Sequence, residues 1–354
     1  MSSTRVLVVD LNANTPRWAL PEDGLARIRA AADGWEVRAT TGMTHSAGDG
    51  QTQLSDELRD AVADAEVYFG FGLPPALVAA APGLRWAQSA AAGVRGILTP
   101  PVREAIGAGR LALTNAAGIM AVPIAEHVLG GVLHFLRGFD VAGVQQRERL
   151  WDRSPWAAPK PGGADVRPRE VGECRVLVIG VRGIGGAVAE RMTALGAECV
   201  GVRRTAGGEV PAGFARAVTG DALDAELPRA DVVVLAAPST PETDGLLDGR
   251  RLALLPDGAI VVNVGRGALV DEPALAAALA ANRLRGAVLD VAAREPLPPD
   301  SPLWALPNVL LTPHVSPTSP GRFWGRMLDL FVDNWDRYRR GAPLRNVVDA
   351  GAGY

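Results

Sequence analysis

The chain has 354 residues, enough for two domains, since a single hydrophobic core rarely grows beyond ~250–300 residues. Hydrophobic residues make up 48% and charged residues 21%, which excludes a disordered, collagenous or coiled-coil chain, and a formal charge of -3 leaves no electrostatic footprint for nucleic acid. No apolar run approaches the ~20 residues of a membrane span, and the start, MSSTRVLVVD, lacks an apolar stretch behind a basic one, so the expectation is a cytoplasmic, soluble protein with a small-molecule partner.

Short runs rich in Val, Ile and Leu alternate with longer Ala/Leu/Arg segments, the pattern of a parallel sheet buried by helices on both faces, and the fold class is α/β. In the first third, strand-like runs cover 5–9, 66–70, 84–88 and 111–114, one small doubly wound unit. Residues 122–137 then have helical composition with Pro123 in the first turn, which suits a long connector. A Pro- and Gly-rich stretch, 151–169, reads as a surface loop. From Arg175 the pattern restarts: RVLVIG, ECVGVRR, ADVVVLAAP, GAIVVNVG, GAVLDV and NVLLTPH read as six successive strands of a dinucleotide-type sheet. The last element is a helix over 321–340 with Phe323, Met327, Leu330, Phe331 and Trp335 on one face, which can return to pack on the first domain.

The run RVLVIGVRGIGGAVAERMTALG is a strand, a tight turn and an amphipathic helix, the context in which a G-x-G-x-x-G match carries meaning. Gly180 supplies the first glycine and Gly185 the third, with Gly183 and Ile184 between them, but Arg182 stands at the middle position. A small residue there normally lets the backbone approach a pyrophosphate. The next strand ends in Arg203, Arg204 and Thr205, where an NAD site places a carboxylate on the ribose hydroxyls. Two guanidiniums and a hydroxyl match a 2′-phosphate instead, so NADP(H) is favoured, with NAD(H) the alternative.

Three polar groups stand just after strands of the second domain: Arg266 in NVGRGALVDE, Glu295 in LDVAAREPLP and His314 in LLTPHVS. Residues beyond strand C-termini converge on the crevice where open α/β sheets bind ligands. Hydride transfer on a 2-oxo or 2-hydroxy acid needs a proton donor for the oxygen, a cation for the carboxylate and an acid to orient and charge the histidine. His314, Arg266 and Glu295 supply one each.

With QSAAAGV, TNAAGIMAVPIAEHV, the glycine turn, APSTPETDGLL, NVGRGALVDEPAL, LDVAAREPLPPDSPLW, TPHVS and the closing DNW and GY, the chain resembles the D-isomer-specific 2-hydroxyacid dehydrogenase family, and within it the glyoxylate/hydroxypyruvate reductase-like branch. The resemblance implies two doubly wound parallel-sheet domains, with a Rossmann domain (122–316, including the connector helix) inserted into a smaller flavodoxin-like substrate domain (1–121 and the C-terminal helix of 317–354). It implies that Arg266 holds the substrate carboxylate and carbonyl, His314 exchanges the proton, Glu295 supports His314, and Asp290 contacts the nicotinamide side. The backbone of Ala92, Gly93 and Val94 would bind the substrate carboxylate, consistent with an anion nest. Ala237, Pro238 and Val264 would line the cofactor, Thr243 would be structural, and the protein would be a homodimer. Two positions depart from the family pattern: Arg182 in the turn, and Arg95, where an Asp usually follows AGV.

The remaining conspicuous residues read as structural. Cys174 and Cys199 have neither C-x-x-C spacing nor metal-ligand company and suit a reducing compartment. Lys160, the only lysine, sits in a Pro/Gly run unsuited to Schiff-base chemistry. His45, His127 and His134 complete no metal set and read as packed or capping residues, and Glu126 as a structural helix acid. Met120 and Trp324 either set substrate size or pack in the core, and Trp151 and Trp156 are candidates for a partner-subunit contact. The function expected is an NADPH-preferring reductase of a small 2-oxo acid, giving the D-2-hydroxy acid. The alternatives are another 2-oxo acid or phosphite as substrate, a non-catalytic dinucleotide-sensing protein, or an interaction protein in which Arg182 closes the site.

Overall fold

A computed structural model of the chain describes residues 5–13, 18–42, 52–159 and 164–351. His45, Lys160, Gly353 and Tyr354 lie outside the described residues. The chain divides into two compact units, one made of Met1–Met120 with Ser319–Tyr354 and the other of Ala121–Thr318, so the second is inserted into the course of the first.

In the first unit β1 (Val6–Asp10), β2 (Glu36–Ala39), β3 (Val67–Gly70), β4 (Trp86–Ser89) and β5 (Ala112–Thr114) form a wholly parallel sheet in the order β2-β1-β3-β4-β5. This is the flavodoxin-like order. Helices α1 (Glu22–Ala31), α2 (Asp56–Val62), α3 (Leu77–Ala80) and α4 (Pro100–Gly107) connect the strands. Strand β2 has no counterpart among the runs picked out from sequence. It is an edge strand of sequence EVRA with Glu36 exposed and the rest half-buried, so it lacks the continuous apolar run that marks a central parallel strand.

The second unit begins with α5 (Ala121–Leu136), α6 (Phe139–Glu148) and α7 (Ser154–Ala157), the last a single turn within the stretch expected to be loop. Its sheet contains β6 (Arg175–Ile179), β7 (Glu198–Arg203), β8 (Arg216–Thr219), β9 (Val232–Leu235), β10 (Ile260–Asn263), β11 (Gly286–Leu289) and β12 (Val309–Leu311), with α8 (Ile184–Ala194), α9 (Leu223–Glu226), α10 (Gly249–Leu254) and α11 (Glu272–Ala280) between them. The seven strands lie parallel in the order β12-β11-β10-β9-β6-β7-β8, a Rossmann sheet whose order reverses between β6 and β9. One register row runs Val178, Val234, Val262, Val288 and Leu310 across five strands. The expectation of six strands is corrected to seven: β8, sequence RAVT, is a half-buried edge strand and carries the same weak signal as β2.

The C-terminal helix α12 (Pro320–Arg340) belongs to the first unit. Phe323, Met327, Leu330, Phe331 and Trp335 are buried as its pattern predicted. Phe331 stacks on Phe69 of β3 at 4.3 Å and on Trp86 of β4 at 5.5 Å. Truncating one of these fully buried rings would cost ~3–5 kcal/mol. Polar ties add register: the buried Asn334 donates to Gln88 Oε1 at 3.2 Å and accepts from the Arg345 amide at 2.7 Å. Trp324 is also buried, edge-on to Phe71 and Phe323, which places it in the core of this unit.

Candidate active site

The site grows from the carboxyl edge of the second sheet. At the reversal point, β6 is followed by Gly180, whose φ of +99° belongs to glycine and whose amide donates to Val202 O. A Cβ on Gly180 would lie 2.7 Å from Ala236 O, and one on Gly185 would lie 1.7 Å from Gly180 O. The turn is therefore closed tightly against the end of β9, where buried Ala237 and exposed Pro238 follow. Gly183 takes the remaining left-handed angle, φ +49°, with open space around it. Arg182 is exposed and is not among the positive-φ residues, so the turn holds an L residue there without backbone strain. The cradle fits a dinucleotide pyrophosphate: backbone packed at the two outer positions, open at the helix entrance.

At the end of β7, Arg203 is half-buried; its guanidinium donates to Glu209 O at 3.3 Å, and its Nε is buried with no hydrogen-bond partner among the described residues. Arg204 and Thr205 are exposed. The two arginines thus have different surroundings: one braces the following loop, and the other stands on the surface. Thr243 is structural as expected, since its hydroxyl donates to Pro238 O at 2.7 Å and accepts from Thr240 N at 2.8 Å, which pins the turn after β9.

Arg266, Glu295 and His314 lie on three successive strand-end loops. At the end of β10, Asn263 folds an Asx turn: its side chain accepts from Gly265 N at 3.1 Å and donates to Arg266 O at 3.0 Å. This fixes the backbone of Arg266, which is half-buried two residues beyond the buried Val264. After β11, Glu295 is held at both oxygens, accepting the Ala292 amide on Oε1 at 3.2 Å and His314 Nδ1 on Oε2 at 2.8 Å. Glu272, the first residue of α11, braces the same loop by accepting from Ala293 N at 3.0 Å. With Nδ1 committed to a carboxylate, Nε2 of His314 is the nitrogen left to exchange a proton.

His314 has φ +54°, a left-handed angle that costs an ordinary residue ~1–2 kcal/mol. Asp290, the residue after β11, holds the backbone on both sides of His314. Its carbonyl accepts the His314 amide at 2.9 Å, and its buried carboxylate accepts Val315 N (2.9 Å), Ser316 N (3.0 Å) and the Thr312 hydroxyl (2.6 Å). Asp290 is thus turned toward the loop that carries His314. His127 of α5 joins the same group, with Nε2 3.2 Å from Thr312 Oγ1. Asn263, Glu272, Thr312 and His127 were not assigned to the site from sequence; only Asn263, an Asn at a strand end before Gly, carried a local signal.

In the first unit, the carbonyl of Ala92 accepts from Asn115 Nδ2 at 3.0 Å and that of Val94 from the Ile97 and Leu98 amides, with Gly93 half-buried between them. Cys174 and Cys199 are free and buried, and burial pushes both thiols up. Burial also pushes half-buried His134 down. Among the described residues no cluster of three or more metal-ligating side chains exists, and no helix is long and apolar enough to cross a membrane.

A doubly wound parallel sheet with this edge chemistry is the framework of a dinucleotide-dependent oxidoreductase. Comparison with known proteins narrows the class. Residues 129–316 match the model of the D-isomer specific 2-hydroxyacid dehydrogenase NAD-binding domain, and the chain belongs to that family. It is 33% identical over 238 residues, covering 66% of this chain and 70% of the relative, to glyoxylate/hydroxypyruvate reductase A of Salmonella newport (strain SL254). Among solved structures it is similar to a D-isomer specific 2-hydroxyacid dehydrogenase from Xanthobacter autotrophicus Py2 in complex with NADPH and MES, at TM-score 0.76 and 31% identity over 98% of this chain and 99% of that one. It is also similar to the NADPH-dependent glyoxylate/hydroxypyruvate reductase of Sinorhizobium meliloti, in complex with NADP and sulfate, at TM-score 0.74 and 27% identity over 99% of this chain and 100% of that one. The protein is accordingly an NAD(P)-dependent oxidoreductase with a Rossmann domain.

Proposed function

We propose that this enzyme reduces a small 2-oxo acid of the glyoxylate or hydroxypyruvate type, preferring NADPH, and yields the D-2-hydroxy acid where a stereocentre forms. The observation that carries the reading is the 2.8 Å contact between His314 Nδ1 and Glu295 Oε2, a histidine oriented by a carboxylate at the carboxyl edge of a dinucleotide-type sheet. NADPH supplies the hydride when bound. Gly180, Arg182, Gly183, Ile184 and Gly185 would hold its pyrophosphate, Arg204 with Arg203 and Thr205 the 2′-phosphate, and Ala237, Pro238 and Val264 its apolar surfaces.

His314 holds on Nε2 the proton destined for the substrate oxygen, and Glu295, accepting from Nδ1, fixes the orientation of the ring. Arg266 takes the substrate carboxylate in a bidentate grip and fixes the angle of the carbonyl. Reductases of this type in Salmonella newport and Sinorhizobium meliloti support the substrate class and the cofactor.

A homodimer is part of the proposal. Helix α6 has no buried residue, and Phe139 (56% exposed), Leu150 (50%) and Trp151 (95%) present apolar surface that a second copy would cover. Trp156 is instead tied within the chain, donating to Arg137 O at 3.1 Å. The free buried thiols suit the cytoplasm.

Tryptophan fluorescence titration with NADPH and NADH, followed by initial rates on glyoxylate, hydroxypyruvate, longer 2-oxo acids and, in the oxidative direction, phosphite, tests the reading. Tight NADPH binding with turnover of the two small acids is expected. Failure to bind either dinucleotide would overturn it in favour of an interaction protein.

A further inference from the structure

We propose that His127 is a positioning residue for His314, acting from helix α5 through Thr312 and Asp290. The inference rests on the reading of His314 as the proton donor.

A threonine hydroxyl has one hydrogen, and Thr312 Oγ1 donates it at 2.6 Å to Asp290 Oδ1, an oxygen that also accepts the Val315 amide. The 3.2 Å contact between Thr312 Oγ1 and His127 Nε2 must then run the other way, with His127 donating. A donation into the hydroxyl polarises it and strengthens its own donation to Asp290. Asp290 passes the constraint on: the two amides its carboxylate accepts, Val315 and Ser316, are the residues that follow His314.

Such bracing has a purpose here. The His314 side chain is 46% exposed, so packing alone does not fix it, and its backbone stands in an unfavourable left-handed conformation. Two polar anchors remain, Glu295 on the ring and Asp290 on the turn. The chain His127, Thr312, Asp290 ties the second anchor to α5, a helix of 16 residues packed in the same unit. The bond uses only the Nε2 hydrogen, which both the neutral Nε2–H tautomer and the protonated ring possess, so the role needs no titration of His127.

The experiment compares His127→Leu, Thr312→Val, the double variant and His127→Gln, whose side-chain amide can place an N–H near the position of Nε2, with His314→Ala as control. Each is assayed for kcat and KM on glyoxylate, NADPH affinity by fluorescence, and pH–rate profile. Expected is a fall in kcat of about fivefold in His127→Leu, the value of one net hydrogen bond, with NADPH affinity held within about twofold. The double variant should be no worse than Thr312→Val, and His127→Gln should recover most of kcat with an unchanged pH profile. Multiplying losses in the double variant, no rescue by Gln, or a displaced pH profile in the Gln variant would overturn the proposal. Full turnover in His127→Leu alongside an inactive His314→Ala would overturn it alone, whereas retained turnover in His314→Ala would remove the functional reading and this inference together.

Discussion

The backbone at Gly267 lies so close to that of Ala292 that a Cβ on the glycine would fall 1.9 Å from the Ala292 carbonyl carbon and oxygen. The loop carrying Arg266 and the loop carrying Glu295 therefore meet through bare backbone. Any side chain at 267 must push them apart. Gly267→Ala is expected to lower kcat/KM by at least about a hundredfold, because displacements of ~1 Å are felt that strongly in a positioned site. It should also lower stability by ~1–3 kcal/mol, as overpacking does. Steady-state kinetics with a thermal melt checks both, and a variant with parental kinetics would show that the two loops move independently.

Removing the imidazole in His314→Ala should lower kcat by about 10²–10⁴ while NADPH affinity changes little, because the role proposed for His314, proton donation, acts in the transition state. Glu295→Gln keeps the shape but removes the charge opposite Nδ1, and a loss of about tenfold to a hundredfold is expected. Arg266→Lys keeps a charge without the bidentate fork, so its loss should appear in KM and kcat together. Rates on glyoxylate over a pH series separate the three.

The two arginines after β7 should behave differently. Arg203 is half-buried and braces the loop through Glu209 O, so Arg203→Ala is expected to weaken both dinucleotides. Arg204 is exposed, and Arg204→Ala should weaken NADPH by about tenfold or more and leave NADH nearly unchanged. Parallel titrations with the two cofactors decide. Arg182→Gly belongs in the same series. A drop in NADPH affinity marks the guanidinium as a phosphate contact, and a large gain marks it as an obstruction.

How much of this was legible in the sequence follows from where each residue's information resides. The glycine turn, Arg266 and Glu295 lie in loops that follow the central strands β6, β10 and β11, whose apolar runs are unbroken, and His314 follows the short edge strand β12, whose residues VLL are still all apolar, so pattern and chemistry coincide. Strands β2 and β8 are half-exposed edges and carry no such run. His127 and Thr312 are separated by 185 positions, and a hydrogen bond over that span has no local signature. Glu272 reads as an ordinary first-turn helix acid; only the fold places its carboxylate on the Ala293 amide. The conformation of His314 was equally hidden, because nothing in TPHVS announces a left-handed histidine.

Stability of the nucleotide-binding unit should depend on acid through Glu226. This nearly buried residue at the end of α9 receives Arg216 of β8 at 2.6 Å and Arg175 of β6 at 2.9 Å on one carboxylate oxygen, tying an edge strand to a central one. The hydrogen bond from Arg216 holds its carboxyl below the ordinary glutamate range, against the opposing effect of burial. In the unfolded chain the group titrates in that ordinary range. The folded form therefore binds its proton less readily, and the stabilisation is present above the ordinary range and is lost as pH falls through the depressed folded value. The Arg216 side chain is 39% exposed, so solvent screening limits the contribution to ~1–2 kcal/mol. Glu226→Gln should lower the melting temperature at pH 7, and the gap between variant and parent should close as the pH is taken from 5 toward 3. A gap that stayed constant across that range would mean that Glu226 acts by shape and packing rather than by its charge.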